Sequence, residues 1–221
     1  SPIVVLQQRK INDLRIPEIK TRVCVDYRVL NSYTKSFCFP MENIKEIIQK
    51  AAFHSYYATL DLSKGYYQVK LDDQSIKYTG FIWPGHFQVF TRLTFGLKNG
   101  PSYFQSAMND AFEDLIKKGI MSVYFDDITI YGDTEDQFIM NVEDVLKRII
   151  KLKLHINPAK SSFGMNTMRS LGYVVNSSGF TMDPSRLKPL NELFVVTSPS
   201  SQVLKLQEQH CKNQKQLVDN A

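Results

Sequence analysis

The chain has 221 residues, 43% of them hydrophobic and 12% aromatic, enough to bury a substantial core as one domain or as one domain plus a small subdomain. Its net charge of +5 suits a polyanionic partner without requiring one, and the last 31 residues add nothing to the excess, their three Lys being matched by Glu192, Glu208 and Asp219. Cys24, Cys38 and Cys211 are scattered and odd in number, which argues against a disulfide framework or a zinc knuckle, and no apolar run is long enough to span a bilayer or serve as a secretory core. The expected setting is therefore intracellular, and the start at Ser1-Pro2, without Met, reads as a fragment of a longer protein or of its gene.

In chain order, residues 3–6 read as a strand and residues 7–20, polar and of mixed charge, as an inserted loop. Residues 23–27 read as a second strand. After Pro40, Ile44, Ile47 and Ile48 recur at helical spacing, predicting a helix over 42–50. Two strands follow, at 56–62 and 66–71; in the first, Ala58, Leu60 and Leu62 would face one side and Tyr57, Thr59 and Asp61 the other. Ser102-x-x-Gln105 has the form of a capping box before a helix with Phe104, Met108, Ala111 and Leu115 on one face. Apolar runs at 120–123 and 128–131 flank Tyr124-Phe125-Asp126-Asp127 as a hairpin. Thr134-x-x-Gln137 then caps a helix carrying Phe138, Val142, Val145, Leu146 and Ile149. Beyond Pro199 the pattern fails, in a segment rich in Gln, Asn and Lys. The order of elements predicts an α+β fold with helices on one face of an antiparallel sheet.

Adjacent carboxylates at a hairpin tip repel one another unless a positive charge compensates them. A divalent ion does this with oxygen ligands, although a solvated polar turn satisfies the same residues. Asp61, at the end of a neighbouring strand, adds a third acid, about what a two-metal phosphoryl-transfer site needs. The four histidines lack metal-ligand spacing, and His86 and His155 read as structural or solvent-facing.

Leu60-Asp61-Leu62-Ser63-Lys64-Gly65-Tyr66-Tyr67-Gln68-Val69, then Thr91-Arg92-Leu93-Thr94-Phe95-Gly96-Leu97-Lys98-Asn99-Gly100-Pro101, then Tyr124-Phe125-Asp126-Asp127-Ile128 resemble, in this order, the reverse transcriptase of gypsy-type LTR retrotransposons. Ser1-Pro2-Ile3-Val4 and Arg22-Val23-Cys24-Val25-Asp26-Tyr27-Arg28-Val29-Leu30-Asn31 resemble its fingers motifs. Leu171-Gly172-Tyr173-Val174-Val175, followed by Gly179-Phe180-Thr181-Met182-Asp183-Pro184, resembles its primer-holding segment and the approach to the thumb. The resemblance covers about residues 1–198.

It implies a polymerase right-hand fold, with fingers and palm over 1–190, an incomplete thumb, and a truncated or divergent, poorly ordered connection segment over 191–221. It implies RNA-directed DNA polymerisation, with Asp61, Asp126 and Asp127 as catalytic residues and as ligands of two Mg²⁺ ions, Mn²⁺ being able to substitute. Leu62, Ser63, Lys64 and Gly65 would cradle the triphosphate, Tyr66 would act as the steric gate against a 2′-hydroxyl, and Arg22, assisted by Lys20, would grip phosphate oxygens. Phe95 and Gly96 would line the nucleotide pocket. Lys98, Asn99, Tyr124, Phe125, Leu171 and Gly172 would meet template and primer, and Lys160 would protonate the leaving pyrophosphate. The implied partners are an RNA or DNA template with primer, deoxynucleoside triphosphates, and the protease, ribonuclease H and integrase domains of a Pol polyprotein. The implied place is the cytoplasm or a virus-like particle, with no membrane.

The sequence departs from the family pattern at Leu93-Thr94 (usually Met-Pro), Gly100 and Gly80 (each usually Ala) and Ser161 (usually Cys). Two other readings compete: an inactive retroelement remnant that at most binds nucleic acid, and an unrelated metal-dependent phosphatase or nuclease. The second leaves Tyr66, Arg22 and Phe95-Gly96-Leu97 without a role.

Overall fold

The computed structural model describes residues 1–11 and 17–186, with side chains for 1–5 and 24–186. Two compact units divide the chain, Ser1–Phe180 and Thr181–Ala221, and all that follows concerns the first. The chain opens with an antiparallel ribbon of β1 (Ile3–Ile11) and β2 (Pro17–Val25), in register from Ile3↔Val25 to Ile11↔Pro17. The inserted loop expected over 7–20 is thus largely strand. Ladder hydrogen bonds join backbone to backbone, so pairing runs on through polar residues that carry no apolar alternation. Helix α1 (Arg28–Tyr33) follows, unannounced by any apolar stripe and with no buried residue. Asn31 anchors it, donating to the Gly96 carbonyl at 2.8 Å and accepting from the Lys98 amide at 2.8 Å.

Helix α2 (Ile44–Ala51) begins where Asn43 accepts the Lys45 amide, and it buries Ile47, Ile48 and Ala51. Strand β3 (Tyr56–Asp61) is the centre of the molecule. Its neighbour in sequence is not the strand expected over 66–71. Lys64 turns the backbone left-handed (φ 52°) and a 3₁₀ turn spans Gly65–Gln68, leaving only the Lys70↔Arg92 bridge of strand-like pairing. The aromatic and β-branched residues that suggested a strand serve packing instead. Beyond lie the short helix α3 (Asp73–Ile76) and the hairpin of β4 (Phe81–Trp83) and β5 (His86–Gln88).

Helix α4 (Gly100–Lys117) starts before the expected capping box, with Asn99 at the cap position making no side-chain bond to the helix and Pro101 in the first turn. Ser102 does not cap, and Gln105 is buried for another purpose described below. Strands β6 (Met121–Tyr124) and β7 (Asp127–Gly132) form the expected hairpin. Helix α5 (Glu135–Leu152) is capped as expected, Thr134 accepting the Gln137 amide at 3.3 Å. Strands β8 (Ser162–Met165), β9 (Thr167–Ser170) and β10 (Tyr173–Asn176) follow, and β11 (Gly179–Met182) begins at the end of the unit.

The central sheet has the order β6-β7-β3-β8, all antiparallel. The period-two reading of β3 holds. Ala58, Leu60 and Leu62 pack with Phe104, Met108, Phe112 and Leu115 of α4 and with Phe138, Val145 and Ile149 of α5. Tyr57, on the opposite face, packs with Tyr131, Ile48, Ala51, Met168 and Val175. Arg148 joins α5 to α4 through a two-pronged pair with Asp114, both contacts at 2.8 Å. This two-sided burial fixes the end of β3, and with it Asp61.

Candidate active site

Antiparallel register places Asp61, the last residue of β3, directly opposite Asp127, the first of β7. Asp126 lies between them at the hairpin tip, where its carbonyl accepts the Leu62 amide at 3.0 Å. Register thus brings one strand end and one turn, with the acids they carry, to the same edge of the sheet. Phe125, the residue before, has φ 50°, a left-handed conformation that a bulky side chain adopts at a cost of about 1–3 kcal/mol. Gln105 of α4 holds the turn in this state. Its Oε1 accepts the Phe125 amide at 2.7 Å, and its Nε2 donates to the Val123 carbonyl at 3.0 Å and to Asn109 Oδ1 at 2.9 Å. The sequence reads Gln105 as half of a capping box; the signal that could have found its other role is its place on the same helical stripe as Met108, Phe112 and Leu115, where burial obliges a polar group to find partners.

Asp126 Oδ1 is buried without a hydrogen-bond partner. A Cβ at Gly65 would collide with that oxygen and stand 2.9 Å from Phe104 Cζ, so only glycine lets the backbone after Lys64 lie against the carboxylate. Burial, and then the negative charges of Asp61 and Asp127, push the Asp126 carboxyl above its ordinary value, against the opposing charge of Lys160. Asp127 shifts the same way, from burial and then Asp61. The Lys160 ammonium stands 3.2 Å from Asp61 Oδ2. Among the described residues no three His, Cys, Asp or Glu side chains are already gathered in a geometry that holds an ion. The donor chemistry nevertheless fits a hard divalent cation: carboxylate oxygens under mutual repulsion, one of them buried and unpartnered.

The segment after α5 braces Asp61 from behind. Asn157 donates its amide to the Asp61 carbonyl at 2.8 Å, and the Asp61 amide donates to Ser161 Oγ at 3.3 Å. Tyr66 is held between two rings, Phe104 at 4.9 Å and Phe95 at 4.6 Å between centroids. Gly96 has φ 92°, and an added Cβ there would stand 3.5 Å from the Tyr27 ring. Leu62 is 2% exposed, Phe95 52%. Of the four cradle residues, Leu62 and Ser63 spend their amides within the protein, on the Asp126 and His155 carbonyls. Lys98 Nζ donates to the Thr34 carbonyl at 2.9 Å, while Asn99 donates to the Lys35 carbonyl and accepts the Phe37 amide, so both side chains tie the α1 region to the start of α4. Tyr124 meets Phe125 edge-on at 4.8 Å. Leu171 (φ 52°) and Gly172 (φ 84°) form the tip of the β9–β10 hairpin, closed by the Tyr173↔Ser170 pair. A cavity of about 270 Å³, lined by Asp61, Asp127, Lys160, Arg169, Ser170 and Leu171, brings this hairpin beside the acids. Lys20 and Arg22 lie on β2 opposite Gln8 and Leu6, with their side chains outside the described residues.

Residues 12–175 match the family described as reverse transcriptase (RNA-dependent DNA polymerase). The chain belongs to that family. It is 33% identical over 171 residues to the Pol polyprotein from transposon gypsy of Drosophila melanogaster, covering 77% of this chain and 16% of that protein. The Pol polyproteins from the transposons 297 and opus of the same fly are 33% and 32% identical, over 77% and 82% of this chain and 16% and 18% of theirs. The gypsy-type resemblance read from the motifs is borne out, and the chain spans under one-fifth of those polyproteins. Among solved structures, the foamy viral protease-reverse transcriptase in complex with RNA/DNA hybrid superposes with a TM-score of 0.69 at 26% identity, over 81% of this chain and 24% of that one. The same type of enzyme in complex with double-stranded DNA gives a TM-score of 0.71 at 26% identity, over 89% and 34%. The fingers-and-palm expectation holds for this reverse transcriptase domain. Among the described residues no helix is long and apolar enough to cross a membrane.

Proposed function

We propose that the chain supplies the fingers and palm of an RNA-directed DNA polymerase, joining deoxynucleotides to a primer 3′-hydroxyl with release of pyrophosphate. The observation that carries this reading is the register that sets Asp61 opposite Asp127 and next to Asp126, whose buried carboxylate oxygen is unpartnered, against Gly65. The three acids would hold two Mg²⁺ ions, or Mn²⁺ in their place, which when bound acidify the attacking hydroxyl and neutralise charge on the phosphates.

The remaining work falls to the chain's own groups. With Leu62 and Ser63 amides engaged, the triphosphate cradle narrows to the Lys64 and Gly65 amides and the Lys64 ammonium. Tyr66, fixed between Phe95 and Phe104, presents an immobile wall to the sugar and selects against a 2′-hydroxyl. Arg22, with Lys20, grips phosphate oxygens from the ribbon. Lys160, beside Asp61, is placed to give a proton to pyrophosphate. The Leu171-Gly172 tip, across the cavity from the acids, seats the primer end, and Lys98, Asn99, Tyr124 and Phe125 border the template–primer path. Template and primer are RNA or DNA, as the related viral enzyme in its RNA/DNA and double-stranded DNA complexes suggests. By the same analogy to Pol polyproteins, protease, ribonuclease H and integrase domains are its partners, with residues 1–190 as the polymerase part, 191–221 as a divergent connection, and the cytoplasm or a virus-like particle as its setting.

Primer extension on an RNA template at low salt, with Mg²⁺ or Mn²⁺, tests the reading. The expected result is extension with deoxynucleotides that Asp126→Asn abolishes. No extension from a chain folded by circular dichroism would favour the inactive remnant instead.

A further inference from the structure

The side-chain amide of Gln68 is enclosed in a ring of backbone groups from two loops. Its Nε2 donates to the Ser63 carbonyl at 2.7 Å and to the His155 carbonyl at 2.9 Å, and its Oε1 accepts the His155 amide at 2.7 Å. The Ser63 amide closes the ring on the His155 carbonyl at 2.8 Å. An amide that pairs both the N–H and the C=O of one residue imitates a neighbouring strand. Here it extends a short ladder already formed by the Leu62↔Ile156 bridge and the Asn157 amide on the Asp61 carbonyl. Arg92 fixes Gln68 in turn, donating to its carbonyl at 2.9 Å. Gln68 is thus the far end of a brace whose near end is Asp61, and the stretch between them is the loop that approaches the nucleotide.

We infer that Gln68 is a positioning residue for the deoxynucleotide, holding the Ser63–Tyr66 backbone and the Tyr66 ring at the distance that admits a 2′-deoxy sugar. The inference rests on the polymerase reading and adds a residue that touches neither substrate nor acids. The physical case is one of multiplicity. Lys64 sits in a left-handed conformation that its side chain disfavours, so the loop relies on contacts from outside to hold its course. Two hydrogen bonds of one amide hold His155 in the α5–β8 connection, which the sheet supports through Asp61, and a third from the same amide holds the loop at Ser63. Without them the loop keeps its sequence and loses its reference point.

The test uses the full chain and its Gln68→Ala and Gln68→Glu variants. It measures incorporation of dATP and ATP on an RNA template with a DNA primer, and hydrogen exchange of residues 62–69. Gln68→Ala is expected to accelerate exchange at 63–68 and raise KM for dATP by about tenfold or more, to change kcat less, and to narrow the preference for dATP over ATP. Gln68→Glu, equal in size but lacking both donors, is expected to behave like Gln68→Ala. Faster exchange with parental KM and selectivity would overturn the inference. So would a parental Gln68→Glu, which would make side-chain bulk, and not hydrogen bonding, the cause. If the folded parent incorporates no deoxynucleotide, the polymerase reading fails first and takes this inference with it.

Discussion

A Cβ on Gly65 would fill space that the Asp126 carboxylate and the Phe104 ring already occupy, and none of these groups can retreat without moving the acid or the core. Gly65→Ala is therefore expected to destabilise the domain by about 1–3 kcal/mol, as overpacking does. It should also cost at least about 100-fold in primer extension, because the reacting groups are displaced. Thermal denaturation beside a kinetic assay checks both, and parental activity would show that the loop does not press on Asp126. The roles of individual residues were unevenly legible in the sequence. The three acids could be read because their chemistry demands carboxylates at the ends of strands. Gln68 and Gln105 could not, since their work is to bond backbone groups of distant loops, and nothing local marks which carbonyl a glutamine will find.

At the scale of elements, the hairpin of β6 and β7 carries a bulky Phe125 in a backbone conformation that its sequence disfavours, and α4 enforces it through Gln105. Gln105→Leu keeps the volume but leaves the Phe125 amide and Val123 carbonyl without their partner. The expected loss is about 1–3 kcal/mol in urea denaturation, with a fall in kcat larger than any change in primer–template affinity. Unchanged stability would mean that water replaces the glutamine. Elements with strong periodicity were readable: α2, α4, α5, β3 and the acid-bearing hairpin follow from their apolar spacing. The failures have physical causes. Residues 66–71 have strand-forming side chains, but the Lys64-Gly65 turn sends them into aromatic stacking. Residues 7–11 and 17–20 are mostly polar, which hides the two paired strands that their backbone joins. Ser102-x-x-Gln105 has the spelling of a cap, yet the helix starts earlier and the buried hairpin claims the glutamine.

For the whole molecule, the site and the scaffold pull stability in opposite directions as pH changes. Asp126 and Asp127 have raised carboxyl pKa values, so the folded chain binds protons more tightly than the unfolded chain. Their contribution is fully present below the ordinary carboxylate range and is lost as pH rises through the raised values. Asp26, drawn down to about 2 by Arg28, and Asp114, drawn down by Arg148, act the other way, and their stabilisation is lost as pH falls. Asp126→Asn is accordingly expected to raise Tm at pH 7, with the gain disappearing near pH 3.5; a lowered Tm at pH 7 would show that the carboxylate supports the fold. The pairing of Asp61 with Asp127 has a consequence on another axis, that of inheritance. Side chains alternate along β3, so one extra codon between Leu60 and Asp61 would aim the carboxylate into the apolar layer where Leu60 and Leu62 pack against α4 and α5. The smallest in-frame insertion at this strand end would silence the chemistry of a copy through a single misdirected side chain.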